Sequence, residues 1–167
     1  FLNTWLDSLS YTKAYTSRRK PEGDWMSKHF QFETSLSLSG SAADIRGSLK
    51  PSQIGEAIKY VYNKLGGDVS ASIENAGLKA KLDIAIKALK ATRGESIVVA
   101  GSNNCGVQVL INAINEKLGN YASNIIDIEK EVYTRKGDDL AFKNLADQMN
   151  AGEINALIVV GLNASFV

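Results

Sequence analysis

Apolar residues at Ile54, Ile58, Val61 and Leu65 recur at helical spacing, and the pattern predicts an amphipathic helix opened by Pro51 and closed at Gly66 and Gly67. Leu78, Leu82, Ala85, Ile86 and Leu89 mark a second helix, with Lys79, Lys81, Lys87 and Lys90 on its solvated side and Gly94 at its close. Val107, Leu110, Ile111, Ile114 and Leu118 mark a third, ended by Gly119. Asp138 and Asp139 are placed to cap a fourth, which carries Phe142, Leu145, Ala146 and Met149 and ends at Gly152. Continuous apolar runs lie at 96–100, within 125–132 and at 155–161, and each reads as a buried strand. From residue 96 onward the order is therefore strand, helix, strand, helix, strand. Unbroken apolar strands between amphipathic helices imply a parallel sheet covered on both faces, joined by right-handed crossovers. The predicted class is α/β: a three-layer βαβαβ half-sheet over 96–167, with a mainly helical wrap over 1–95.

The wrap is less regular. Residues 2–19 read as helical with a break near Ser8, and 20–24 as a turn. His29-Phe30-Gln31-Phe32-Glu33 alternates polar and apolar as a strand does, and Ser39-Gly40-Ser41 breaks it. Residues 70–75 read as a loop.

Composition narrows the partners. The chain has 167 residues, 44% of them hydrophobic, with 19 basic and 18 acidic side chains and a net charge of +1. That balance gives no electrostatic reason to expect a nucleic acid or an anionic membrane. No apolar run reaches the ~18 residues of a membrane span. The single cysteine, Cys105, can form no internal disulfide and cannot by itself ligate an iron–sulfur cluster, and the single histidine, His29, removes any multi-histidine metal site. The chain opens at Phe1 amid amphipathic spacing and stops at Val167 beside an apolar run, so it reads as a piece of a longer chain whose targeting signals could lie outside it.

The strand–loop–helix at 96–119 is where a phosphate would sit. A dinucleotide fingerprint needs Gly-x-Gly-x-x-Gly, and Asn103 stands at its middle glycine. A P-loop needs Lys and a hydroxyl residue after its second glycine; Gly101 and Gly106 have the spacing, but Val107 and Gln108 follow. Gly101, Ser102, Asn103 and Asn104 remain a cofactor-binding candidate only through the free N–H groups of any helix start. Ordinary capping by Ser and Asn outweighs that reading. Cys105 reads as a small buried or half-buried residue rather than a thiolate paired with His29. Glu33 is either a buried polar anchor or an exposed face residue. Asp138 and Asp139 read as a cap rather than a metal site, and Trp5, Trp25, Tyr11 and Tyr15 as packing or interface aromatics. No catalytic residue and no metal ligand is assigned.

Three stretches together carry a family resemblance: "FLNTWLDSLSYTKAYTSRRKPEGDWMSKHFQFETSLSLSGSAADIRGSLKPSQIG", "ESIVVAGSNNCGVQVLINAINEKLGN" and "LADQMNAGEINALIVVGLN". They resemble the molybdopterin-oxidoreductase-like region of the iron–sulfur (hydrogenase-component-like) subunit of bacterial alternative complex III. Glu33, Ser39-Gly40, Ala43-Asp44 and Lys50-Pro51-Ser52 are the matching positions in the most patterned segment. The resemblance spans most of the chain except about 67–94. It departs at Gly161-Leu162-Asn163-Ala164-Ser165-Phe166, where the family continues with Gly-x-Asn-Pro.

The resemblance implies Rossmann-like α/β lobes related to the molybdenum enzymes but carrying no molybdopterin. It implies iron–sulfur clusters in a separate, cysteine-rich region of the parent chain and no cofactor in this piece. Its partners would be the remainder of the parent subunit and other respiratory-complex subunits, on the periplasmic side of a bacterial inner membrane. Two functions then stand side by side: a non-catalytic structural lobe of a quinol-oxidising electron-transfer complex, or the cofactor-binding domain of an active molybdopterin oxidoreductase completed by residues elsewhere. A free-standing small-ligand module is a third.

Overall fold

A computed structural model describes residues 1–5, 7–130 and 138–161. The chain divides into two compact units, residues 1–131 and 132–167.

In the first unit the order is α1 (Ser8–Ser17), β1 (Phe30–Glu33), α2 (Leu38–Ser41), β2 (Ile45–Ser48), a 3-10 turn (Pro51–Gln53), α3 (Ile54–Lys64), α4 (Ala76–Ala91), α5 (Cys105–Leu118) and a second 3-10 turn (Ile128–Lys130). β1 and β2 pair in parallel, with Gln31 opposite Arg46, Phe32 opposite Gly47 and Glu33 opposite Ser48. Parallel strands need a crossover, and residues 34–44, including α2, supply it. The architecture is a mixed α/β one, helical with a small two-stranded parallel sheet.

Strand alternation divides the sheet by chemistry. Phe32 turns to a cluster formed by Leu49, Ala57, Tyr60, Leu78, Leu82 and Ile86. Gly47 lies beneath the Phe32 ring, and a Cβ there would meet ring carbons at 2.5 and 2.7 Å. Gln31, Glu33 and Arg46 share the opposite, polar face. A second cluster joins Leu65, Ile114 and Leu118 with Ile58, Leu89 and Val98 around it. Ile114 is fully buried and Leu118 is 1% exposed, and burying side chains of this size contributes roughly 1.5–3 kcal/mol each.

The helical periods predicted these contacts. Leu78, Leu82, Ala85 and Ile86 are the buried residues of α4, and Ile111, Ile114 and Leu118 lie on the buried side of α5. Gly119 ends α5 at φ 77°, a left-handed conformation that glycine adopts without a Cβ clash.

β1 lies where the alternation at 29–33 predicts a strand, but the three apolar runs from 96 onward form no paired strand among the described residues. The paired sheet lies within the segment read as a helical wrap. Residues 96–100 have no ladder partner among the described residues, and 128–130 form a 3-10 turn. Residues 131–132 of the expected middle strand lie outside the described residues. A strand is completed by another backbone, and at 98 that role falls to a side chain: Asn115 Nδ2 donates to the Val98 carbonyl at 2.7 Å, and its Oδ1 accepts from Val98 N–H at 3.0 Å.

In the second unit α6 (Asp139–Asn150) has no buried residue. Residues 155–161 follow it, exposed throughout and without strand pairing among the described residues.

Candidate functional site

The Gly101 loop leads from 96–100 into α5. Asn104 caps the helix, its Oδ1 accepting from Val107 N–H at 3.1 Å, as its residue type predicts. Ser102 Oγ accepts from Asn104 N–H at 3.2 Å. Gln108, standing where a P-loop would place its hydroxyl residue, folds back: its Nε2 donates to the carbonyls of Ala100 at 3.0 Å and Ser102 at 2.5 Å. The side chains of Ser102, Asn104 and Gln108 are engaged in the loop's own turn. Gly101 and Asn103 are exposed. Cys105 is exposed, not buried or half-buried as its residue type suggested, and no interaction joins it to His29 among the described residues. In the second unit, Asp138 Oδ1 accepts from Ala141 N–H at 2.9 Å, the cap expected of it. Among the described residues no group of three or more His, Cys, Asp or Glu is gathered as a metal site would need.

A denser polar cluster occupies the polar face of the sheet. The Glu33 side chain is 11% exposed and accepts from Arg46 Nε at 2.6 Å. It also accepts from Ser37 Oγ at 2.5 Å, Ser37 N–H at 3.1 Å and Gln31 Nε2 at 3.2 Å. Burial alone would raise its pKa, but the hydrogen bonds from Arg46, Ser37 and Gln31 outweigh that and hold it at about 2. Gly40 passes so close that a Cβ there would overlap the Glu33 carboxylate. Glu33 is a partly buried polar anchor, between the two readings it admits in sequence.

Asp44, just before β2, meets Arg19 in a two-point pair at 2.8 and 2.9 Å and accepts from His29 N–H at 2.7 Å. The Arg19 hydrogen bond is the largest cause holding the Asp44 carboxyl at about 2, against the opposing effect of burial. His29 sits between, its Nδ1 3.0 Å from Tyr15 Oη and its Nε2 3.2 Å from Gln31 Oε1. Burial is the main cause lowering its pKa from the ordinary 6.5.

Sequence reasoning placed Glu33 in a strand but did not find this cluster. A signal was present: His29-x-Gln31-x-Glu33 and Asp44-x-Arg46-x-Ser48 are both polar at period two. β2 itself, Ile-Arg-Gly-Ser, has too little apolar or β-branched character to be read as a strand.

No family model matches the chain, and no curated protein matches its sequence. No helix among the described residues is long and apolar enough to cross a membrane.

Proposed function

We propose that this chain is a non-catalytic structural lobe of a molybdopterin-oxidoreductase-like subunit in a quinol-oxidising respiratory complex, on the periplasmic side of a bacterial inner membrane. Its finer architecture in that setting is Rossmann-like. The lobe scaffolds a separate cluster-bearing region of the parent subunit and docks neighbouring subunits.

The observation that supports this reading is that the side chains of Ser102, Asn104 and Gln108 bond within the Gly101 loop itself. A phosphate cradle keeps backbone donors free for its ligand. Here Asn104 occupies the Val107 N–H, Ser102 occupies the Asn104 N–H, and Gln108 ties the loop's carbonyls together. The matched segment around Glu33 supports a scaffold in a second way. Glu33 pairs with Arg46 and packs against Gly40, and Asp44 pairs with Arg19, which is structural work. Exposed apolar side chains suit docking: Ile97 is 55% and Val99 52% exposed.

Metal analysis and absorbance spectroscopy of the purified chain test the proposal. The expected result is neither molybdenum nor iron at stoichiometric level and no pterin absorbance. Near-stoichiometric molybdenum with pterin absorbance would replace it with the cofactor-binding domain of an active molybdopterin oxidoreductase.

A further inference from the structure

From Glu95 to Ala100 exposed and partly buried residues alternate one by one, the mark of an extended segment. One set of its backbone groups is taken. Asn115 holds the N–H and C=O of Val98, and Gln108 Nε2 donates to the Ala100 carbonyl. In an extended chain the N–H and C=O of one residue point to the same edge, and those of the next residue to the other edge. Ile97 and Val99 therefore turn theirs away from Asn115 and Gln108. Among the described residues none of these groups has a hydrogen-bond partner. The Ile97 and Val99 side chains are apolar and more than half exposed. One edge of the segment is closed by α5, and the other is open.

We propose that this open edge pairs with the same edge of a second copy of the chain, antiparallel about a twofold axis at Val98, with Ile97 of each copy opposite Val99 of the other. A row of unpaired N–H and C=O groups is a template for a further strand, which makes the occupant extended backbone. The segment is its own complement. With Val98 on the axis, Ile97 N–H donates to the Val99 carbonyl of the other copy and Val99 N–H to the Ile97 carbonyl, and symmetry repeats both. Every free group of the two edges is then used. Ile97 lies directly across from Val99, an apolar cross-strand pair of the favourable kind.

Charge selects the same register. The next residues along the edge, Glu95 and Gly101, face each other, and beyond them Arg93 faces Asn103, so no like charges meet. A slip of two residues one way sets Glu95, whose N–H is already given to the Thr92 carbonyl, against Val99. A slip the other way sets Ile97 against Gly101, which has no side chain to cover it. An edge this short lies below the roughly 1,000 Å² of a stable interface, so the pair is weak and forms at high protein concentration. The pairing rests on this edge alone and not on the respiratory assignment.

Amide hydrogen exchange of the whole chain, followed residue by residue by NMR from micromolar to millimolar concentration, tests the proposal. Val98 N–H is held within the chain by Asn115 and serves as the internal standard. The expected result is that Ile97 and Val99 exchange several-fold more slowly as concentration rises while Val98 does not change. A sample mixed from isotope-labelled and unlabelled chains should show contacts between Ile97 of one copy and Val99 of the other. Val99→Lys places a charge on the open edge and should abolish the concentration dependence while leaving Val98 protected. Ile158→Ser combined with Val160→Ser should leave the concentration dependence intact, since those residues lie outside the edge. Ile97 and Val99 amides that exchange freely at every concentration would overturn the proposal. So would protection at every concentration, which would place the cover within a single chain. Loss of the effect in the Ile158→Ser, Val160→Ser variant would overturn it too, by making that run the occupant.

Discussion

Asn115 binds the backbone of Val98 at both its N–H and its C=O, at 3.0 and 2.7 Å, as a neighbouring strand would. Its remaining amide hydrogen reaches the Ile111 carbonyl at 3.1 Å, and its oxygen also accepts from Asn120 Nδ2 at 2.9 Å. Asn115 is 2% exposed and Asn120 fully buried. The segment entering the Gly101 loop is therefore registered on α5 by the amide of Asn115 at Val98 and by that of Gln108 at Ala100. Asn115→Ala would leave the part-buried Val98 N–H and C=O and the buried Asn120 Nδ2 without these partners, at a cost of roughly 2–4 kcal/mol. A urea midpoint lowered by that amount checks it, whereas an unchanged midpoint would mean the segment is held by something else.

Gly40 and Glu33 should behave as a coupled pair. Gly40→Ala forces the carboxylate away from Ser37 and Arg46 and should destabilise the fold by about 1–3 kcal/mol. Shortening the acid by Glu33→Asp withdraws it from the site of the clash. The double variant should then lose less than the sum of the single losses. Strict additivity in a double-mutant cycle would show that the contact is relieved at no cost by movement of α2.

Acid should weaken the first unit through Glu33 and Asp44. Both have folded pKa values of about 2, below the ordinary carboxylate values, so the folded state binds fewer protons than the unfolded one. Their stabilisation is fully present above the ordinary carboxylate pKa and is lost as pH falls from about 5 towards 2. Glu33→Gln should be less stable than the parent at neutral pH and show a shallower decline of stability with acid. Parallel pH–stability curves for the two proteins would remove Glu33 from the account.

The second unit exposes Ile158 at 88% and Val160 at 87%. Two such side chains in one run favour association with a partner surface or with another copy. Ile158→Ser combined with Val160→Ser should lower self-association in analytical ultracentrifugation and leave helix content by circular dichroism unchanged. Equal association of both proteins would place the sticky surface elsewhere.

Residue pattern alone determined helices α3 to α6, whereas α2 falls on Ser39-Gly40-Ser41, read in sequence as a break. In α3 to α6 the period of 3.6 is written in side chains a few positions apart, so Leu82, Ile86, Ile114 and Leu118 were legible as buried before any neighbour was known. The caps at Asn104, Asp138 and Gly119 were legible for the same reason, because a cap is a bond or a torsion within one turn. Tertiary structure decided the sheet and the polar cluster. Whether an apolar run becomes a strand depends on a distant backbone, and the run at 96–100 met the amide of Asn115 instead. Arg46 reaches Glu33, and Arg19 reaches Asp44, only after the crossover through α2 sets β1 beside β2. The period-two polar positions mark a polar face on each segment but not which segment it meets, since the energy that favours the meeting arises only when the two strands share one face.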